Sequence, residues 1–196
     1  MQINEIIDII RAGIFVLKIE PREDYLSFLK NLDYTETNDN SKTFVTKSYQ
    51  VLKQNINLNN QIKEAVKKVL KDCYQFKNYN SFKIFTSWGT KTFKNGSSNI
   101  HSHGNSWLSG VYYPEDSSPI RFYNDSMSIF SDSIIRENKY NSSEYILNPT
   151  KNTLILFPSS VRHEILLNNK ETRYSLAFNI LPKGVFGSYD TNLGEY

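Results

Sequence analysis

Residues 99–113 read Asn-Ile-His-Ser-His-Gly-Asn-Ser-Trp-Leu-Ser-Gly-Val-Tyr-Tyr. They place two histidines one residue apart, just before an apolar segment. In an extended chain the side chains of residues i and i+2 point to the same face, so His101 and His103 can converge on one point. The chain has three histidines, and the third, His163, lies far downstream. Because imidazole is the commonest metal ligand in proteins, these three side chains form a candidate metal site.

The sequence around these histidines favours a mainly β fold. From residue 81 onward, short segments with strand-like patterns are separated by turn residues such as Asn95-Gly96, a pair typical of hairpins with positive φ at both positions. The predicted strands are 82–88, 97–101, 107–113, 120–123, 145–147, 153–157, 161–167 and 171–181. Such a run is typical of a sandwich or a barrel.

The N-terminal third has a partly helical pattern. Apolar residues recur on one face of a helix predicted over 58–76, and Cys73 on that face is expected to be a small core residue. The other elements predicted there are a strand at 14–19, a helix over 21–32, and a strand or extended segment at 43–52. We expect a single domain with a helical support region (1–80) on one outer face of a β core (81–182), and a C-terminal tail (183–196).

Composition excludes several classes of protein. The net charge is only +3, with 23 basic residues interleaved with 20 acidic ones, so nothing indicates a nucleic-acid partner. A single cysteine cannot form a disulfide within the chain, which favours a reducing compartment. No apolar run approaches the roughly 18 residues of a membrane span, and the N-terminus lacks the basic region of a secretory signal. We therefore expect a cytoplasmic protein.

The last predicted strand has two different faces. Arg173 and Ser175 lie on a polar face, whereas the opposite face is apolar and is expected to pack on the helices. A turn near residue 168 is predicted to bring Arg173 across from His163 on an adjacent antiparallel strand. No acidic residue on the polar face can pair with Arg173, so a bound carboxylate would supply the partner that a buried cation needs.

The strand predicted at 107–113 adds two candidate pocket residues. Tyr113 and Ser109 share one face of it, and they could line the same pocket as the histidines. Three imidazoles leave coordination positions open on an octahedral metal, which oxygen and a chelating co-substrate both require.

These segments resemble the 2-oxoglutarate/Fe(II)-dependent oxygenases of marine bacteria and phages, which are related to prolyl 4-hydroxylases. The likeness spans about residues 58–181. It is carried by Ser-Trp at 87–88, the segment 101–113, Ile-Arg-Phe-Tyr-Asn-Asp at 120–125, Leu-Phe-Pro-Ser-Ser-Val-Arg-His-Glu at 156–164, and Arg-Tyr-Ser-Leu-Ala-Phe-Asn at 173–179. It implies a double-stranded β-helix, a jelly-roll or cupin-like barrel, with Fe(II), 2-oxoglutarate and O2 as reactants and succinate and CO2 as products.

The resemblance also implies residue roles. His101 takes the place of the first metal ligand and His163 that of the distal ligand. Arg173 is the expected partner of the far carboxylate of 2-oxoglutarate, since a guanidinium fork suits a carboxylate. Ser175 and Tyr113 are expected to contact the same co-substrate.

Residue 103 departs from the wider pattern. The usual facial triad has Asp or Glu at this position, whereas this chain has His103. Three neutral imidazoles leave Fe(II) with two positive charges, which should tighten binding of dianionic 2-oxoglutarate and could admit Zn, Cu or Ni. A register that uses His103 with Asn105 is disfavoured, because only Ser106 would separate the ligands from the next strand.

The sequence therefore predicts a 2-oxoglutarate/Fe(II)-dependent dioxygenase that hydroxylates an unknown small molecule or peptide in the cytoplasm of a bacterium or an infected host cell. One alternative is a cupin-like barrel that holds Zn or Ni without turnover. Another is a three-histidine dioxygenase that does not use 2-oxoglutarate, with Arg173 binding the substrate's own carboxylate. The oligomeric state stays open, a homodimer being one option.

Overall fold

A computed structural model describes residues 13–20, 23–37, 41–125, 135–136, 138 and 141–184. The described strands form two antiparallel sheets, one of seven strands and one of three. The strands are β1 (Phe15–Lys18), β2 (Tyr34–Glu36), β3 (Thr43–Thr46), β4 (Phe82–Phe93), β5 (Leu108–Tyr113), β6 (Ile120–Tyr123), β7 (Glu144–Leu147), β8 (Thr153–Pro158), β9 (His163–Ile165) and β10 (Thr172–Pro182).

The two sheets pack face to face. The order is β1-β8-β5-β10-β4-β3-β2 in the large sheet and β7-β6-β9 in the small one. Phe122 of the small sheet contacts Phe157 of the large sheet, with ring centroids 5.1 Å apart. Val111 and Ile155 belong to the same buried cluster between the sheets. This arrangement confirms the predicted double-stranded β-helix.

Two helices cover the outer face of the large sheet, α1 (Tyr25–Lys30) and α2 (Ile56–Asp72). Asn55 caps α2, because its side-chain oxygen accepts a hydrogen bond from the Leu58 amide at 2.9 Å. The apolar stripe of α2 is fully buried in one cluster with Leu176 and Phe178 of β10. The predicted division of β10 into an apolar outer face and a polar inner face is therefore confirmed.

The N-terminal third contributes more than helices. Strands β1, β2 and β3 join the large sheet, where β1 pairs with β8 and β3 with β4. The chain after β3 forms a short 3-10 helix over Val51–Gln54. Helix α2 ends at Asp72, earlier than predicted, so Cys73 is the exposed C-terminal cap instead of a core residue. Most of the tail predicted at 183–196 lies outside the described residues.

The segment 97–101 is not a strand, contrary to the prediction. Asn95 has a φ of 62°, but the Asn-Gly turn closes no hairpin, since β4 pairs with β10 and β3. The chain instead leaves the large sheet here and runs beside the small one. The Ser98 amide donates to the Ile165 carbonyl at 3.1 Å, and His101 forms an isolated bridge with His163.

The prediction that His163 and Arg173 lie on adjacent strands is also wrong. His163 begins β9 in the small sheet, whereas Arg173 lies on β10 in the large sheet. The turn near residue 168 is a crossover between sheets, because the buried Asn168 binds the β4 end and the loop before β6 instead of closing a hairpin. Arg173 and His163 therefore face one interior from opposite walls. None of the described helices is long and apolar enough to span a membrane.

We expect Gly110→Ala to lower the free energy of unfolding by about 1–3 kcal/mol, the usual cost of overpacking a core. A Cβ at Gly110 would press on the Phe178 ring and lie 2.7 Å from Leu156 Cδ2. Gly104 is the matched control, since nothing lies within 4 Å of its added Cβ. Chemical denaturation of both variants checks this, and equal stabilities would contradict the described packing of β5 on β10.

Candidate active site

The three histidines converge at one point. Their ligand atoms all lie within 4.8 Å of one another. The backbones of His101 and His163 pair through two hydrogen bonds, of 3.0 and 2.9 Å, and the amide of His103 donates to the Ser159 carbonyl at 2.9 Å. The structure therefore brings together the ligands that the sequence predicted, from two distant segments of the chain.

Hydrogen bonds orient two of these rings. Nδ1 of His101 lies 2.7 Å from the Asn99 carbonyl oxygen, and Nδ1 of His163 lies 3.0 Å from the Val161 carbonyl oxygen. A carbonyl oxygen only accepts, so each Nδ1 carries the proton and each Nε2 keeps a free lone pair. A carbonyl oxygen bonded to the ring nitrogen that faces away from the metal is typical of metal-binding histidines.

Burial favours the neutral form of the His103 and His163 rings. Desolvation, reinforced by nearby His101, lowers the pKa of His103 to about 4. Desolvation also lowers the pKa of His163 to about 3 against the opposing hydrogen bond to Val161, and nearby His101 and His103 lower it further. Since only the neutral imidazole binds a metal, burial favours the metal-binding form of His103 and His163.

A cavity of about 360 Å³ extends from the histidines between the sheets. All three histidines line it, and so do Arg173 and Ser175. Phe157 packs against the His163 ring with centroids 4.7 Å apart, which closes the cavity on that side. The candidate metal site and the candidate carboxylate site therefore open into one space.

Arg173 is a buried cation without an anionic partner. Its side chain is only 2% exposed, and no carboxylate in the part of the chain that the structure describes forms an ion pair with it. Its Nε donates to Ser117 Oγ at 2.6 Å, and its guanidinium carbon lies 5.2 Å from the centroid of the Tyr113 ring. A buried unpaired charge is costly, so this guanidinium is suited to a carboxylate ligand.

Tyr113 and Ser175 lie beside Arg173. The buried Tyr113 hydroxyl has no hydrogen-bond partner among the described residues. Burial raises the pKa of Tyr113, and nearby Arg173 offsets only part of that rise, so the hydroxyl keeps its proton and can donate. Ser175 Oγ lies 2.5 Å from Thr90 Oγ1 across the β4–β10 pair. Ser175 lines the cavity together with Arg173, whereas Tyr113 is buried outside the cavity lining, so its role in co-substrate binding stays a prediction.

Ser109 has a different environment from the other predicted residues. It is buried on β5, outside the cavity lining, with its hydroxyl 2.8 Å from Ser159 Oγ and 2.8 Å from Asn179 Oδ1. Because the Ser159 carbonyl also holds the amide of His103, Ser109 lies behind the metal site. Its role in co-substrate binding stays a prediction.

Sequence reasoning missed several residues of the cavity and left Trp88 open between packing at the barrel rim and a wall of the pocket. Thr92, Thr90 and Trp88 of β4 pair with Arg173, Ser175 and Ala177 of β10 and face the same interior. Trp88 also contacts His103, with ring centroids 5.8 Å apart. Alternation along 82–93 could have placed these three side chains on one face, but the sequence did not show that β4 pairs with β10. Ser117 carried no recognisable signal.

The fold and the site together define a class of protein. The double-stranded β-helix places in one cavity three convergent imidazoles, which could hold a divalent metal, and a buried guanidinium, which suits a carboxylate. Residues 86–179 match the family model described as "Putative 2OG-Fe(II) oxygenase". This range includes all three histidines, Tyr113, Arg173 and Ser175. The β core is therefore similar to the 2OG-Fe(II) oxygenases, which confirms the resemblance seen in the sequence.

Solved structures support the same fold. A 2OG-Fe(II) oxygenase family oxidoreductase from Burkholderia pseudomallei is 12% identical, with a TM-score of 0.61 over 86% of this chain and 85% of that chain. HygX from Streptomyces hygroscopicus, solved with nickel and 2-oxoglutarate, is 12% identical, with a TM-score of 0.61 over 87% and 83%. A Pseudomonas putida prolyl-4-hydroxylase is 12% identical, with a TM-score of 0.54 over 88% and 94%. No curated protein matches the chain.

We expect His101→Ala and His163→Ala each to weaken metal binding by more than about 100-fold, because loss of a group that only hydrogen-bonds to a metal ligand already costs about 10–100-fold. Calorimetric titration with Co(II) measures the affinity. Asn105→Gly is the control, since Asn105 has a φ of 57° that glycine adopts freely. An affinity lost in Asn105→Gly but kept in His101→Ala would instead support the register that uses His103 with Asn105.

Proposed function

We propose that this protein is a 2-oxoglutarate- and Fe(II)-dependent dioxygenase that hydroxylates a C–H bond. In the overall reaction, 2-oxoglutarate, O2 and R–H give succinate, CO2 and R–OH. One atom of O2 enters succinate and the other enters the new hydroxyl group. The keto acid supplies two electrons through its decarboxylation, and the C–H bond supplies the other two.

One observation carries this proposal. Three imidazoles share a cavity of about 360 Å³ with a guanidinium that is 2% exposed and has no described carboxylate partner. A metal site alone would not need the buried cation. A keto diacid accounts for both, since one end of it can chelate a metal and the other can pair with Arg173.

Different residues are assigned to metal binding, to carboxylate binding and to the exclusion of water. Fe(II) held by His101, His103 and His163 would supply the open coordination positions and the redox chemistry that activation of O2 requires. Arg173 binds the far carboxylate with its fork, and Tyr113 donates its hydroxyl to the same group. Phe157 and Phe122 pack on the His163 ring and exclude water from that side of the site.

His103 gives the site an unusual charge. A facial triad with a carboxylate leaves Fe(II) with one net positive charge, whereas three imidazoles leave two. The chelating carboxylate of 2-oxoglutarate would offset one of these charges and its far carboxylate the charge of Arg173, so the additional positive charge favours binding of the dianion. We propose that His103 serves as the third ligand, supported by its place within the 4.8 Å cluster.

The prime substrate is a small molecule or a peptide. HygX has been solved with hygromycin B, and a related prolyl hydroxylase from Trichoplax adhaerens has been solved with a peptide fragment. Trp88 lines the cavity here, and the exposed Tyr49 contacts it with centroids 6.1 Å apart. We propose that substrate approaches the metal past these two rings, and that it does so in the cytoplasm, where an exposed Cys73 thiol stays reduced.

We expect wild-type protein with Fe(II), 2-oxoglutarate and O2 to form succinate, slowly without a prime substrate. Arg173→Ala should raise the KM for 2-oxoglutarate by about 30-fold or more, because breaking a buried charge pair costs about 2–5 kcal/mol. Arg136→Ala is the matched control, since this arginine is exposed. Succinate release and anaerobic 2-oxoglutarate titration measure both effects.

The same assays separate the alternatives. Metal binding without any affinity for 2-oxoglutarate would favour a cupin-like metal protein. Consumption of O2 without keto acid would favour a three-histidine dioxygenase whose own substrate binds Arg173. An unchanged KM in Arg173→Ala would contradict the assigned role of this residue.

A further inference from the structure

Asn168 lies in the middle of the crossover between β9, which begins with His163, and β10, which carries Arg173. Its side chain is completely buried, at 0% exposure, although it is a polar residue in a loop. Buried polar groups need hydrogen-bond partners, and a loop that buries one is held in place by them.

The hydrogen bonds of Asn168 reach three other segments. Its Nδ2 donates to the Thr92 carbonyl at 2.9 Å and to the Lys170 carbonyl at 3.0 Å. Its Oδ1 accepts from Ser118 Oγ at 2.9 Å and from the Lys170 amide at 3.2 Å. Its backbone amide donates to Gly96, and its carbonyl accepts from the Asn95 amide, both at 2.8 Å. The end of β4, the loop before β6 and the crossover are thus joined at one side chain.

Two of these segments touch Arg173. Thr92, whose carbonyl accepts from Asn168, is the direct partner of Arg173 in the β4–β10 register. Ser118, which binds Asn168, follows Ser117, whose hydroxyl accepts from Arg173 Nε at 2.6 Å. The position of the Ser117 hydroxyl therefore depends on Asn168, and the orientation of the guanidinium depends on that hydroxyl.

We propose that Asn168 is a positioning residue for Arg173, and that through Ser118 and Ser117 it sets the preference of the site for a 2-oxo diacid over a 2-oxo monoacid. This rests on the proposed function, because the guanidinium is taken to bind the far carboxylate of 2-oxoglutarate. The metal-chelating end of the keto acid lies away from this network, so its binding is independent of Asn168.

A pair of keto acids isolates the effect. 2-Oxoglutarate and 2-oxopentanoate share a five-carbon chain and the same chelating end, but only the first has a second carboxylate. The anaerobic Fe(II)-loaded protein is titrated with each acid. The dissociation constant for 2-oxopentanoate divided by that for 2-oxoglutarate then measures recognition of the far carboxylate alone. Melting temperature is recorded for every variant.

We expect Asn168→Ala and Ser117→Ala each to lower this ratio by at least about tenfold, the effect of weakening one hydrogen-bonded contact to a charged group. Affinity for 2-oxopentanoate should stay within about twofold of wild type. Asn55→Ala is the matched control, since Asn55 is another buried asparagine whose bond caps α2 far from the cavity. It should lower the melting temperature and leave the ratio unchanged.

The outcomes are separable. A lower melting temperature in Asn168→Ala with a wild-type ratio would make Asn168 a purely structural residue and overturn the proposal. Should Asn168→Ala fail to fold, Ser117→Ala and Ser118→Ala decide, since each removes only one hydroxyl, and wild-type ratios in both would overturn it. A wild-type protein that does not discriminate between the two acids would instead refute the proposed function.

Discussion

The backbone pairing between His101 and His163 is the contact on which the site depends. Two hydrogen bonds, of 3.0 and 2.9 Å, fix the segment after the Asn95-Gly96 turn beside the first residue of β9. Because each residue both donates and accepts, their side chains are held in register and the ring centroids lie 4.4 Å apart. His103 then joins them through its own backbone bond to Ser159. Backbone hydrogen bonds thus bring together the three imidazoles of the candidate metal site.

The large sheet provides the second constraint. Its outer face buries a cluster with α1 and α2, which fixes the direction of every side chain on β10. With Tyr174, Leu176 and Phe178 directed outward, Arg173 and Ser175 must point inward, since strand side chains alternate. Burial of apolar surface on one side of the sheet thus stabilises an arrangement that exposes a cation to the cavity on the other. A bound carboxylate would offset the energetic cost of burying that cation.

The network around Asn168 connects these two constraints. The crossover carries the chain from β9, which begins with His163, to β10, which carries Arg173, within a few residues. The backbone polar groups of this crossover cannot reach water where it is buried. One asparagine with two donors and an accepting oxygen satisfies them and binds the neighbouring loop at the same time. Packing, polar satisfaction and ligand recognition therefore meet in the same side chain.

The sequence by itself determined much of this protein. Alternation of apolar and polar residues gave most of the strands of the β core and the two faces of β10, and the spacing of His101 and His103 indicated the metal site, because these patterns depend only on local backbone geometry. It could not determine which strands pair. The hairpin expected at Asn95-Gly96 and the pairing of His163 with Arg173 were both wrong for this reason. Only the tertiary structure decided that β4 lies beside β10, which brings Trp88, Thr90 and Thr92 into the cavity. It also decided that Asn168 and Ser117 lie behind Arg173. These contacts join residues far apart in sequence, so they depend on how the two sheets close on each other.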